Sequence, residues 1–417
     1  MTDNRNIAAS AREDALSSPP PHLSNPPILP LLSSLLHTHQ AEIEAWFAEQ
    51  YRRTYPLFYT SVDIRYSGHK IAPVDTNIFP AGFNLLSPDA REHASAAMRR
   101  YFSRHFPRAL KLLLIPEDHT RNTYYLENVA TLKTLLDAAG MAVESASFAS
   151  GELRREGDTL RTASGFTPDV VLMNNDLSSG VPKLLPGLAQ PVIPPPGLGW
   201  HRRRKTAHFD TYNELARKFG QAFGLDPWLI STLFSHCGQI NFREQLGLEC
   251  VAQNVERCLQ QIRKKYEEYG ITDTPYVFIK ADRGTYGMGI MTVRSPEEVL
   301  EINKKNRHKM DVIKEGVTNS EVIIQEGVPT IDVVHGKVAE PLMYLVGGEV
   351  VGCTWRINEN RDAFSNLNAP GMTFDNACST DGDAPATEEP LCPVRGLIAQ
   401  LSTLAAAQEC YEPGWEI

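Results

Sequence analysis

A lysine at the end of an apolar run, followed at once by a glycine-rich turn, is the arrangement in this chain best suited to chemistry. Tyr276 to Lys280 reads as a buried strand. Residues 281–289 (Ala-Asp-Arg-Gly-Thr-Tyr-Gly-Met-Gly) read as a turn, and Ile290 to Arg294 as the returning strand. Glycines at a hairpin tip let backbone N–H groups approach phosphate oxygens closely, and a lysine on the preceding strand reaches the same phosphates as a fixed charge. The pattern predicts a lid over a nucleotide, with Lys280 at an exposed strand end; a tight turn that holds no ligand is the alternative. A Walker A loop is excluded, because GxxxxGK[ST] opening a helix does not occur.

A second polar concentration lies upstream, in Asp63, Arg65, Lys70, Asp75, Asn77 and Asn84. An amino acid carries carboxylate and ammonium together, so its pocket needs bidentate cations beside carboxylate partners, which is the mixture found here. A surface loop whose Asp and Asn residues only make turns is the competing reading. The basic run Arg202, Arg203, Arg204, Lys205 is short of the five or more residues that mark a nucleic-acid patch. His236 and Cys237 are adjacent, which on the helix expected there turns them apart, so they do not form a nucleophile pair. No HExxH, GxSxG or metal-spaced Cys/His set is present.

These groups need elements to position them. Residues 1–30, rich in Ser, Ala and Pro, read as a flexible leader. A helix is expected over 33–53, and another from Pro88 to about Arg104, capped by Ser87. A strand over Leu110–Ile115, a helix from Asn122 closed by Gly140, and strands near 143–148 and 169–173 then alternate as in an α/β unit with a largely parallel sheet. Ligands of such sheets bind beyond the strands' carboxyl ends, where Asn174, Asn175 and Asp176 fall. The Pro/Gly-rich stretch 190–199 suggests a boundary between a unit at 31–196 and one at 197–417. Helices are expected over 206–219, 227–235 and 244–269, and a capping box at 295–298 opens the next one. A strand over 321–326 and a hairpin over 340–356 turning at Gly347-Gly348 follow.

Composition narrows the function. The 417 residues carry 41 Lys+Arg against 50 Asp+Glu, a net charge of −9, which disfavours a protein whose affinity rests on neutralising nucleic-acid phosphates. No apolar run approaches the roughly 20 residues of a membrane span. Seven cysteines without a CxxC pair fit reduced thiols in a cytoplasm.

In order along the chain stand a lysine strand, a glycine loop, a strand ending Gln325-Glu326, an acidic hairpin ending at Arg356, and the Asn366-to-Gly371 loop. That order resembles the ATP-grasp superfamily, and over about residues 35–410 the chain resembles the proteobacterial glutamate–cysteine ligase family with an ATP-grasp-like, glutathione-synthetase-like fold. The resemblance implies an N-terminal α/β substrate domain and a nucleotide domain. It implies ATP-dependent joining of glutamate, through a γ-acyl phosphate, to cysteine, which is the first step of glutathione biosynthesis. Lys205 and Lys280 would contact ATP, with Gly284, Tyr286, Gly287 and Gly289 as the mobile loop and Gln325, Glu326 and Val328 at the adenine. Arg356 would steady the transferred phosphoryl group, and Asp63, Arg65, Lys70, Asp75, Asn77 and Asn84 would bind the amino acid. The Glu-x-Asn magnesium pair usual in ATP-grasp enzymes does not occur near the C-terminus, so Glu340 and Asn368 become the candidate Mg²⁺ ligands. The implied partners are these small molecules, with no nucleic acid or membrane; a homo-oligomer is left open. Competing readings are an ATP-grasp ligase for another carboxylate and amine, and a silent nucleotide-binding regulator.

Overall fold

The computed structural model describes residues 28–118, 122–284, 289–311, 320–376 and 391–410. Two helices, α1 (Ile28–Thr38) and α2 (Gln40–Tyr51), stand where one was expected, because His39 leaves the helical conformation (φ −115°, ψ 25°). The polar segment after them is a hairpin of β1 (Tyr59–Tyr66) and β2 (Ile71–Asn77). Its period of two is hidden in the sequence because both faces are covered and the buried positions run nearly without a break. Helix α3 (Pro88–His105) begins as its sequence predicts: Ser87 Oγ accepts the Ala90 N–H, and Pro88 fills a position where no amide donor is needed.

The expected α/β unit follows, with β3 (Lys111–Pro116), α4 (Thr123–Ala138), β4 (Ala142–Ser145), a small hairpin of β5 (Leu153–Glu156) and β6 (Thr159–Thr162), β7 (Val170–Asn174) and β8 (Val192–Ile193). Strands β4-β3-β7-β8 form a parallel sheet. At the carboxyl end of β7, however, Asn174 is fully occupied within the protein. It donates to Tyr59 Oη (3.0 Å) and the Pro80 carbonyl (2.9 Å) and accepts from Tyr125 Oη (3.1 Å), tying this sheet to β1.

A second layer contains α5 (Lys205–Phe223), β9 (Phe234–Gly238), α6 (Leu248–Tyr269), β10 (Val277–Ala281), β11 (Ile290–Val293), α7 (Glu297–Leu300), α8 (Lys304–Asp311) and β12 (Glu321–Glu326). Its antiparallel sheet runs β11-β10-β12-β9. The helix expected over 227–235 is only one turn, Pro227–Ile230; from Phe234 the chain pairs with β12 in five register positions, so backbone pairing overrides local propensity. His236 and Cys237 are therefore on a strand. The capping box does not form either: α7 has no side-chain cap, and Glu298 instead accepts the Arg294 N–H.

The last described elements are β13 (Val333–Val334), β14 (Lys337–Val346), β15 (Glu349–Ile357), β16 (Thr373–Asp375) and α9 (Leu391–Glu409). The hairpin β14–β15 turns at Gly347 and Gly348, whose φ of +61° and +85° explains the glycine pair. The sheet order is β16-β15-β14-β1-β2, so the early hairpin completes the late sheet. These strands come from both sides of residues 196/197, so the sheet draws on both of the expected units. Helix α9 packs its buried Leu397, Ile398 and Leu401 against Val62, Ile64, Met343 and Leu345 from the back of this sheet. Truncating one such leucine to alanine costs about 2–5 kcal/mol. Cys353 on β15 is disulfide-bonded, contrary to the expectation of reduced thiols throughout, while Cys237, Cys250, Cys258, Cys392 and Cys410 are free. Among the described residues no helix is long and apolar enough to cross a membrane.

Candidate active site

Strand alternation gathers the charges. Asp63 on β1 and Asp75 on β2 are register partners, and Arg65 lies two residues beyond Asp63 on the same face. Glu340 on β14 is opposed by Arg356 on β15. The remaining half of that face, with Tyr59, Leu342, Tyr344 and Val346, packs with α3 residues in an apolar cluster. The polar half instead meets Phe278 and Lys280 of β10, Ile290 of β11 and the first turn of α5 across a cleft. That cleft is open to solvent. Its lining includes three carboxylates, Asp63, Asp75 and Glu340, against four cations, Arg65, Lys205, Lys280 and Arg283. Such a balance suits an anionic ligand.

The charges hold one another. Arg356 donates to Asp63 Oδ2 (2.7 Å) and Glu340 Oε1 (2.8 Å), while Arg65 Nε donates to Glu340 Oε2 (2.7 Å). Arg65 also donates to the carbonyls of Ser365 (2.6 Å) and Val328 (3.3 Å). Burial alone would lower the Arg356 pKa, but Asp63 and Glu340 raise it above the usual arginine value. Burial works against ionised Glu340 too, and Arg65 and Arg356 prevail, holding it below the usual range. At Asp63 burial wins and the pKa rises, Glu340 adding to it and Arg356 opposing. Asp75 is the reverse case: against burial, Lys205 and Lys280 pull it down to about 2, with Lys205 Nζ only 2.6 Å from Oδ1.

Lys280 is buried, not exposed as its strand-end position suggested. Its Nζ donates to Gln325 Oε1 (2.7 Å) and the Val74 carbonyl (2.9 Å), and burial lowers its pKa to about 8. Lys205 opens α5 and is joined to the glycine turn through Asp282. The Asp282 carbonyl accepts the Lys205 N–H (2.7 Å), and its carboxylate accepts the Thr206 N–H and hydroxyl (2.8 Å each).

The other sequence candidates divide. Gly284 and Gly289 frame the turn with φ of +93° and +61°; Tyr286 and Gly287 lie outside the described residues. Asn368 lines the cleft beside Asn366, whose side chain donates to the Asn368 carbonyl (3.0 Å) and accepts the Asn368 N–H (3.1 Å). The side chains of Gln325 and Glu326 point into the protein: Gln325 bridges Lys280 and Thr232, and Glu326 accepts from Trp228 Nε1 (3.1 Å) and the Leu233 N–H (2.9 Å). Lys70 pairs with Glu326 at 2.6 Å, fully buried and 4.1 Å from the Trp228 ring centre, so it is not a cleft residue. Asn77 accepts the Phe79 N–H in a local turn, and Asn84 gives its carbonyl to Arg91. Arg356 stands behind Asp63 and Glu340 rather than in the lining. Arg283, Phe278 and Asp282 were missed, although all three belong to the lysine strand and glycine turn that drew attention first. Among the described residues no three His, Cys, Asp or Glu side chains are grouped so as to hold a metal ion.

The sequence profile of the glutamate–cysteine ligase family matches residues 33–151 and 145–410. Among solved structures, a candidate gamma-glutamylcysteine synthetase from Methylobacillus flagellatus KT is 40% identical, with 94% of this chain and 98% of that chain covered and a TM-score of 0.83. A glutathione synthetase-like effector from Globodera pallida is 12% identical, covering 84% of each chain at a TM-score of 0.38, too distant to carry an argument. No curated protein matches the chain.

Proposed function

The chain belongs to the glutamate–cysteine ligase family, and on that premise we propose how its residues divide the work of an ATP-dependent ligase that makes γ-glutamylcysteine. The observation that carries the reading is the cleft in which Lys205, Lys280, Arg65 and Arg283 face Asp63, Asp75 and Glu340. ATP donates its γ-phosphoryl group to the side-chain carboxylate of glutamate, and the amine of cysteine displaces phosphate from the acyl phosphate, releasing ADP and phosphate. Phosphoryl transfer spreads charge over the phosphoryl oxygens, so fixed cations stabilise the transition state electrostatically.

Lys205 and Lys280 hold the phosphates, joined by Arg283 at the mouth of the glycine turn. Asp63 and Arg65 receive the ammonium and carboxylate of glutamate. The resemblance gave Arg356 direct contact with the moving phosphoryl group; its two ion pairs favour a positioning role, fixing Asp63 and Glu340. Keeping water from the acyl phosphate is the role the resemblance gives to the glycine segment that Gly284 and Gly289 flank. The backbone at Glu326 to Val328, more than the Gln325 and Glu326 side chains, meets the adenine.

Magnesium, when bound, supplies charge neutralisation between the phosphates. The chemistry of the donor set fits it: hard oxygen ligands with few protein groups plus phosphates and water. Glu340 has both oxygens engaged by arginines, whereas the Asp75 side chain is 38% exposed against 14% for Asp63 and 3% for Glu340. Asp75 and the Asn368 carboxamide are therefore the groups assigned to the ion. A cytoplasmic site of action accords with a ligase that consumes ATP. Replacing cysteine by hydroxylamine tests the chemistry: glutamyl hydroxamate forms only with ATP if an acyl phosphate is made, and its absence from an enzyme that still makes dipeptide would reject that intermediate.

A further inference from the structure

Away from the cleft, two free cysteines face each other. Cys237 on β9 and Cys250 in the first turn of α6 have their sulfurs 2.9 Å apart, within about 1 Å of a covalent S–S bond at about 2.05 Å. Cys237 is buried and Cys250 exposed. Asn254 Nδ2 donates to Cys237 Sγ (3.0 Å) and, at longer range, to Cys250 Sγ (3.6 Å), holding both sulfurs on one side of α6. The connecting segment needs three left-handed residues, Gln239, Gln245 and Gly247, with φ of +58°, +59° and +78°. Two of these are not glycine, and such backbone persists only where surrounding contacts impose it. The opposition of the two thiols is thus fixed by the fold.

We propose that Cys237 and Cys250 form a thiol–disulfide exchange site whose reactant is a low-molecular-weight disulfide. Cys250, which solvent reaches, attacks one sulfur of the small disulfide; a mixed disulfide forms and one small thiol leaves. Cys237 then attacks the Cys250 sulfur, and the second small thiol leaves. Two protein thiols lose two electrons, the small disulfide gains them, and the two protons end on the released thiols. Burial, which pushes the Cys237 thiol up to about 12, makes it the second attacker and not the first. The product fastens β9, the edge strand of the nucleotide sheet, to α6. Cys237 lies opposite Val322 of β12, three residues before the Lys280 partner Gln325, so the tether reaches the sheet that holds the lysine.

The test is to treat the purified full chain with oxidised glutathione, alkylate the remaining thiols, and map peptides without reduction. The expected result is a cross-linked pair carrying Cys237 and Cys250 that dithiothreitol releases, with melting raised by several degrees as a closed loop predicts. Cys250→Ser, a surface change, abolishes both effects. Cys237→Ser retains glutathione on Cys250. Recovery of both cysteines fully alkylated, or wild-type protein carrying stable glutathione on Cys250, would overturn the proposal. Should Cys237→Ser fail to fold, wild type and Cys250→Ser decide it alone.

Discussion

Replacing Lys280 by methionine separates the catalytic use of this lysine from its structural cost. The ammonium is buried, and its pKa is about 8 in the folded chain against an ordinary 10.5. Below pH 8 both states are protonated and the folded state bears the full desolvation cost. Between about 8 and 10.5 the unfolded chain keeps a proton that the folded chain has released, so stability rises with pH in this window. At 1.36 kcal/mol per pH unit the gain is about 3 kcal/mol. Methionine removes that cost, but it also removes the hydrogen bonds to Gln325 and the Val74 carbonyl, worth about 1.5–3 kcal/mol each for a charged donor. The terms nearly cancel or leave a small loss at pH 7. Turnover falls by about 10²–10³, the usual consequence of deleting one electrostatic contact to the transition state. Urea unfolding of both proteins at pH 7 and pH 10, with ADP release at pH 7, reads all of this. The rise in stability from pH 7 to pH 10 should be smaller in the variant than in wild type by about the Lys280 share, whereas the share of Lys70, whose pKa burial also lowers to about 8, is common to both. An alkaline gain identical to wild type, or unchanged turnover, would refute the reasoning.

Other perturbations have equally definite outcomes. Glu340→Gln leaves Arg65 and Arg356 short of a shared buried anion and should cost about 3 kcal/mol in urea unfolding; a loss below about 1 kcal/mol would mean the bridge is dispensable. Glu409→Gln breaks the bidentate pair with Arg203 (2.8 and 3.0 Å) that pins the end of α9. Burial opposes its ionisation, yet Arg203 holds its pKa at about 2 against an ordinary 4.5, so its contribution of about 3 kcal/mol is present above 4.5 and lost as pH falls towards 2. The variant should be less stable at pH 7 and lack part of the wild-type acid slope. Asp75→Asn should raise the Mg²⁺ concentration needed for half-maximal activity several-fold; an unchanged requirement would remove Asp75 from the metal assignment.

Local signals carried much of this in the sequence. Ser87-Pro88 starts α3, Gly347-Gly348 turns β14 into β15, and the strand before the glycine turn does carry the cleft lysine. Long-range pairing was invisible. Nothing in Tyr59 to Asn77 announces that the hairpin joins strands nearly 300 residues away, yet that pairing sets Asp63 and Asp75 beside Glu340 and Arg356. Chain order therefore suggested two units where one sheet spans both ends. Side-chain direction was the second blind spot. Lys70 and Glu326 were assigned to different ligands, and they satisfy each other inside the protein. Polar density shows that a segment is demanding; it does not say whether a ligand or the fold meets the demand.

The most direct test of the account is ADP release by the purified protein with ATP and Mg²⁺, comparing glutamate plus cysteine with each alone and with glutamate plus other amines. Release should need both amino acids, with γ-glutamylcysteine identified by mass spectrometry. Equal release with an unrelated amine, or bound ATP that no amino-acid pair turns over, would contradict it.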